Sequence, residues 1–132
     1  MTMKNIKYFI VAFLFYGCDM NNQKLVLVNE TNKTVYYRLL TDTILYEGLY
    51  IYKLNSSDSV SPNFVMGKGE GVWERKINTA SKDSSLHIFI FPIGSLLDNK
   101  LTKSIINGKT YKRYDLKVND LEKARWKVYY KE

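Results

Sequence analysis

A single cysteine and a single histidine leave this chain short of the side chains from which most catalytic and metal sites are built. With one thiol no disulfide can form within the chain, so the fold must hold by its own core. A Ser-His-Asp arrangement could draw only on His87. A zinc site needs three or more His, Cys or carboxylate ligands, and one histidine among scattered acids does not supply them. No metal, no cofactor and no enzymatic activity are expected. The glycines in Met66-Gly67-Lys68-Gly69-Glu70-Gly71 lack the spacing of a P-loop or a G-x-G-x-x-G fingerprint and read as a turn. Long apolar runs are missing except at residues 8 to 16, which fall short of the ~20 residues that cross a bilayer and carry no stop-transfer charge behind them. There is no internal repeat, and no low-complexity stretch beyond the serine-rich loop Asn55 to Pro62.

What the chain does have at its start is the layout of an export signal: Lys4 and Lys7, then Tyr8 to Tyr16 uninterrupted, then Gly17-Cys18 and the polar Asp19-Met20-Asn21-Asn22-Gln23. Gly-Cys after such a run resembles the lipobox of bacterial lipoproteins. The resemblance implies a diacylglycerol on the Cys18 thiol, cleavage just before it and acylation of the new amino group. Residues 1-17 are then the signal peptide, 18-23 the lipidated N-terminus and linker, and 24-132 the folded domain. Two or three acyl chains anchor a protein where one would not, so the expected address is the cell envelope, lipid-anchored, at the outer membrane.

Removing 17 residues from 132 leaves 115, a single-domain length able to bury roughly two-thirds of its unfolded surface. Cleavage takes Lys4 and Lys7 and lowers the net charge from +7 to +5. The excess is C-terminal, with ten basic and four acidic groups from residue 100 onward. An exported protein does not meet nucleic acid, so the charge points to a solvated face or to anionic head groups.

Alternation and turn signals predict a strand at Lys24 to Val28, a second at Thr34 to Leu40 forming a hairpin with it, and a third at Leu49 to Leu54. Val72 to Ile77 alternates like a further strand. Leu86-His87-Ile88-Phe89-Ile90-Phe91 is apolar on both faces and should be a central strand, ended by Pro92 and Gly94. Leu97, Leu101 and Ile105 suit one face of a short helix stopped by Asn107-Gly108, although the same Asn-Gly suits a hairpin turn. Tyr114, Leu116 and Val118 alternate with Arg113, Asp115 and Lys117 in a half-buried strand. Asn119-Asp120-Leu121-Glu122 is a cap signal for one helical turn, and Trp126, Val128 and Tyr130 mark a final strand. The expected fold is all-β: one antiparallel β-sandwich-like domain with one or two short helices.

The stretches NETNKTVYYRL, LHIFIF and YKRYDLKVNDLEKARWKVYY, together with the lipobox, make the chain similar to a group of small lipoproteins of the Bacteroidota. The closing motif of that group falls here on Arg113, Tyr114, Leu116, Asp120, Leu121, Trp126, Val128 and Tyr130. The resemblance implies an address and a fold and brings no activity with it. In that setting Asp42-Thr43-Ile44 and Asp58-Ser59-Val60 are similar to the sequon for O-glycosylation of exported proteins, making Thr43 and Ser59 candidate acceptors. Asn29, Asn32 and Asn55 match only the eukaryotic N-x-S/T code.

Binding is the function class the composition favours. Eleven tyrosines include the pairs Tyr36-Tyr37 and Tyr129-Tyr130, which place rings on both faces of their strands. Exposed tyrosines suit recognition of a glycan or a surface protein. Lys112, Arg113, Lys123, Arg125 and Lys127, with Tyr129, form a candidate basic and aromatic surface. The expected partners are the membrane, through lipid at Cys18, and a protein or glycan. The competing class is a small hydrolase using His87, or Glu70 paired with Glu74.

Overall fold

The computed structural model describes residues 24 to 62 and 72 to 132. The signal segment, Cys18, the glycine-rich turn and Glu70 lie outside the described residues.

Among the described residues seven strands and three short helices follow one another: β1 (Val26–Asn29), β2 (Val35–Leu40), β3 (Tyr52–Leu54), β4 (Ser59–Val60), α1 (Val72–Ala80), β5 (Ser85–Phe91), α2 (Lys103–Gly108), β6 (Lys112–Lys117), α3 (Val118–Lys123) and β7 (Lys127–Tyr130). They form two sheets, ordered β4-β1-β7 and β3-β2-β5-β6. The larger is antiparallel throughout. In the smaller one β1 runs antiparallel to β4 but parallel to β7; the described residues are thus strand-rich with mostly antiparallel sheets, while the parallel pair and a third short helix depart from the expected antiparallel fold with one or two helices.

β5 is the strand the sequence announced most clearly. Every residue from Ser85 to Phe91 is buried, and neighbours flank it on both sides. Its alternation splits the core in two. Leu86, Ile88 and Ile90 face one cluster with Leu25 and Leu27 of the small sheet's side, Val35, Tyr37, Trp73, Ile77, Leu121, Trp126 and Tyr130. Phe89 and Phe91 face a second cluster with Tyr36, Leu49, Ile51 and Leu101, covered by the connections before β3 and after β5. Because both faces of the large sheet are covered, the rings that Tyr36 and Tyr37 place on opposite faces are both buried. In Tyr129-Tyr130 the two faces differ: Tyr129 is exposed and Tyr130 buried.

Three local expectations are corrected. β1 and β2 do not form a hairpin; they belong to different sheets. The corner between them is fixed by Asn29, wholly buried, whose Nδ2 donates to the carbonyls of Lys33 (2.8 Å), Leu54 (3.3 Å) and Asn55 (3.1 Å). Its Oδ1 accepts from the Thr31 amide at 3.0 Å and hydroxyl at 2.7 Å. Val72 to Ile77 is the start of α1 and not a strand: Trp73 and Ile77, four apart, lie on one helical face and fill the first core. The loop 55–62 contains the short strand β4, pairing Ser59 with Val28.

Between residues 95 and 108 only the second half is helical. Thr102 caps α2 by accepting from the Ile105 amide at 3.4 Å. Leu101 is buried in an extended segment that bonds to Leu49 and Gly48, while Leu97 is fully exposed. The three leucine and isoleucine positions therefore do not share a helix face. α3 starts at Val118, earlier than its cap signal implied, with Asp120 Oδ2 accepting from the Lys117 amide at 2.9 Å. Among the described residues no helix is long and apolar enough to cross a membrane.

Candidate binding surfaces

The lone histidine is a structural clamp between strands. His87 faces Asp115 across the β5–β6 pair, and its Nδ1 lies 2.6 Å from Asp115 Oδ1. Its Nε2 lies 3.2 Å from Asp83 Oδ2, in the turn that leads into β5. Arg113 Nε holds the same Asp115 oxygen at 3.0 Å. The ring is 2% exposed and both its nitrogens face aspartates, so it ties β6 and the turn before β5 to the middle of the large sheet. Ser81 Oγ donates to Asp83 at 2.5 Å.

Asp83 is held below the usual carboxylate range, first by the Ser81 hydroxyl and then by the Ser85 amide and His87, against a smaller opposing desolvation. A carboxylate whose folded-state pKa lies below its unfolded value stabilises the fold above the unfolded value, near 3.9, and loses that contribution as pH falls through the folded value. Asp83→Asn is therefore expected to lower stability at pH 7 and to change it little at pH 2. Urea midpoints of the two proteins at both pH values check this.

The hydrolase alternative also named Glu74. It lies on α1 in an ion pair with Lys24, whose Nζ also sits 4.4 Å from the centre of the Trp126 ring. Burial pushes the Glu74 carboxyl up, but the hydrogen bonds from Lys24 and the backbone outweigh it and the net direction is down. Among the described residues no three His, Cys, Asp or Glu side chains gather at metal-binding geometry.

The exposed aromatic surface lies at the β3 edge of the large sheet. In Leu49-Tyr50-Ile51-Tyr52 the aliphatic residues enter the second core, leaving Tyr50 and Tyr52 each 45% exposed. Their rings meet edge to face, 5.1 Å apart at 73°, and Tyr52 also contacts the buried Tyr37 ring at 5.6 Å. Arg38 lies 5.6 Å from the Tyr52 ring centre and donates to the Tyr50 carbonyl at 3.2 Å. Its Nε has no hydrogen-bond partner. Asn99 Nδ2 donates to the Tyr50 hydroxyl at 3.3 Å. The backbone here is pinned by Ile51 N to Asn99 O and Leu101 N to Leu49 O, both 2.8 Å. Gly48, at φ 87°, closes the turn in which the Leu49 amide reaches the Tyr46 carbonyl, a position that favours glycine. Ile44, Tyr46 and Leu97 are exposed as well, and Leu97 lines a shallow cleft of about 270 Å³ together with Glu47, Gly48 and Lys100.

The candidate basic surface divides. Arg113 is bonded to Asp115, and Lys112 lies over the rings of Tyr114 (5.2 Å) and Tyr130 (6.0 Å). Lys123, Arg125 and Lys127 cluster instead at the turn between α3 and β7, all exposed. Tyr129 projects from β7 on the same outer face as Lys127. Thr43 is exposed in the bend after β2, where Asp42 Oδ1 accepts from the Ile44 amide. Ser59 is exposed on β4, at the edge of the small sheet. Asn29 is buried and closed to any glycan.

The grouping of Tyr50, Tyr52 and Arg38 was not singled out by sequence reasoning. The signal was present in the strict alternation of Leu49 and Ile51 with Tyr50 and Tyr52. No known protein family, curated protein or solved structure matches the chain.

Proposed function

We propose that this protein is an exported lipoprotein, anchored through Cys18, whose β-sandwich-like domain acts by docking a protein partner and not by catalysis. The observation that carries the docking reading is the Tyr50–Tyr52–Arg38 surface. Tyrosine and arginine dominate interface hot spots, and these side chains are held in place before any partner arrives, which reduces the entropy lost on binding. A protein partner fits better than a glycan. Two rings at 73° share no common plane on which a run of sugar rings could lie, and Arg38 beside them adds a charge. The Gly17-Cys18 junction behind its charged and apolar leader supports the anchor, and Thr43 and Ser59 are accessible to the glycosylation their sequons suggest.

The test is chemical crosslinking on membranes isolated from the producing cell. The wild type is expected to give a discrete adduct, and a Tyr50→Ala/Tyr52→Ala variant to lose it, consistent with about 2 kcal/mol per hot-spot tyrosine. The unfolding midpoint should move little, because both rings are half exposed. An adduct of undiminished yield in the double variant, or none in the wild type, would rule out docking through this surface.

A further inference from the structure

We infer that the turn Lys123 to Lys127 is a membrane-contact site for an anionic bilayer surface, set in place by the short tether to Cys18; the inference rests on the lipid anchor proposed above. Cys18 is six residue steps from Lys24, and a fully extended chain covers at most roughly 20 Å over that distance. Whatever surrounds Lys24 is thus confined near the head groups. The surroundings are specific: Lys24 lies against the Trp126 ring, Val26 N donates to Trp126 O at 2.8 Å, and Val26 is in register with Lys127. The chain enters the domain directly beside the basic turn.

The charges there are free to act. Among the described residues Lys123, Arg125 and Lys127 have no ion-pair partner, whereas Lys24 is neutralised by Glu74 and Arg113 by Asp115. Two acids sit on the same helix, Asp120 and Glu122, and Asp120 is turned to the Lys117 amide, so the turn stays net positive.

The backbone of this turn sets how its charges are presented. Arg125 N donates to Glu122 O at 3.0 Å and Trp126 N to Leu121 O at 2.7 Å, the two bonds of a Schellman ending after the cap residue Ala124. Arg125 occupies the left-handed position, φ 54°, that such endings reserve for glycine. An arginine there costs stability and gains no described contact. Trp126 beside it (φ 59°) and Lys109 at the end of α2 (φ 49°) share this conformation, and at Arg125 its result is an exposed guanidinium beside the tether. Phosphate-rich surfaces attract each basic residue within a Debye length, and three together strengthen contact by about two orders of magnitude.

The native protein, reconstituted into vesicles of phosphatidylcholine alone or with added phosphatidylglycerol, is labelled with a water-soluble amine reagent and mapped by mass spectrometry. Labelling at Lys123 and Lys127 is expected to fall severalfold in the anionic vesicles and to recover in high salt, while Lys53 and Lys112 stay constant. Arg125→Gly should raise the unfolding midpoint and weaken the protection, which a purely structural arginine would not do. Equal labelling of Lys123 and Lys127 in both vesicle types, with an acylated N-terminal peptide in the same digest, overturns the contact site alone. An N-terminal peptide without acyl mass overturns the tether and with it the inference.

Discussion

Asn29→Asp is expected to destabilise the fold by about 4 kcal/mol at neutral pH, although the two side chains have nearly the same shape. The Asn29 amide nitrogen donates to three carbonyl oxygens, and the residue has no exposed surface. A carboxylate in its place directs negative charge at acceptors, loses every donor and meets no cation. Asn29→Ala removes the same bonds without burying a charge, so it should cost less, about 2–3 kcal/mol. The sign with pH follows from burial. The introduced acid has its folded-state pKa raised, so its penalty shrinks as pH falls and the protonated form can again donate. Urea denaturation of both variants at pH 7 and pH 4 checks the order and the convergence. Equal stability of Asn29→Asp and the wild type at pH 7 would show that Asn29 does not close the corner between the sheets.

Phe89→Ala is the second large effect, about 3–5 kcal/mol. Phe89 is fully buried, stacked 6.3 Å from Phe91 and tilted against Tyr111 at 5.6 Å. It supports the second core, and the second core supports the layer that holds Tyr50. The loss should therefore be felt at the docking surface as well as in global stability. Hydrogen exchange is the discriminating measurement: the amides of Ile51 and Leu101, which bond across that layer, should exchange faster by a larger factor than those of Val26 and Val28 in the small sheet. Uniform acceleration would mean that the two cores open as one unit. With the layer loosened, the partner crosslink should weaken even though neither tyrosine is changed.

Much of the strand content could be read from sequence because β5, β6 and β7 obey simple rules. Leu86 to Phe91 is apolar at every alternating position but one, and β6 and β7 alternate strictly. The sheet assignment was not legible. Residues 24 to 40 look like a hairpin from local pattern, yet the two strands join different sheets and a buried asparagine between them reaches residues 54 and 55, a contact between distant parts of the chain. Val72 to Ile77 misleads because its alternation and the Trp73–Ile77 spacing of four fit two periods at once, and tertiary burial of that face selects the helix. The basic surface was legible as composition but not as place: Arg113 lies on β6 of the large sheet and Lys127 on β7 of the small one, and pairing with Asp115 removes Arg113 from the free charges. Tyr36 illustrates the same limit, since its burial depends on a second layer made of irregular segments with no periodic signature.

Intact mass of the protein extracted from native membranes, with mapping of its N-terminal peptide, tests the tethered domain most directly. The expected result is a chain that begins at Cys18 and carries acyl mass on it, with any further mass confined to the peptides holding Thr43 and Ser59. A full-length chain with a free thiol at Cys18 would contradict the anchor, the envelope address and the membrane contact of the basic turn together.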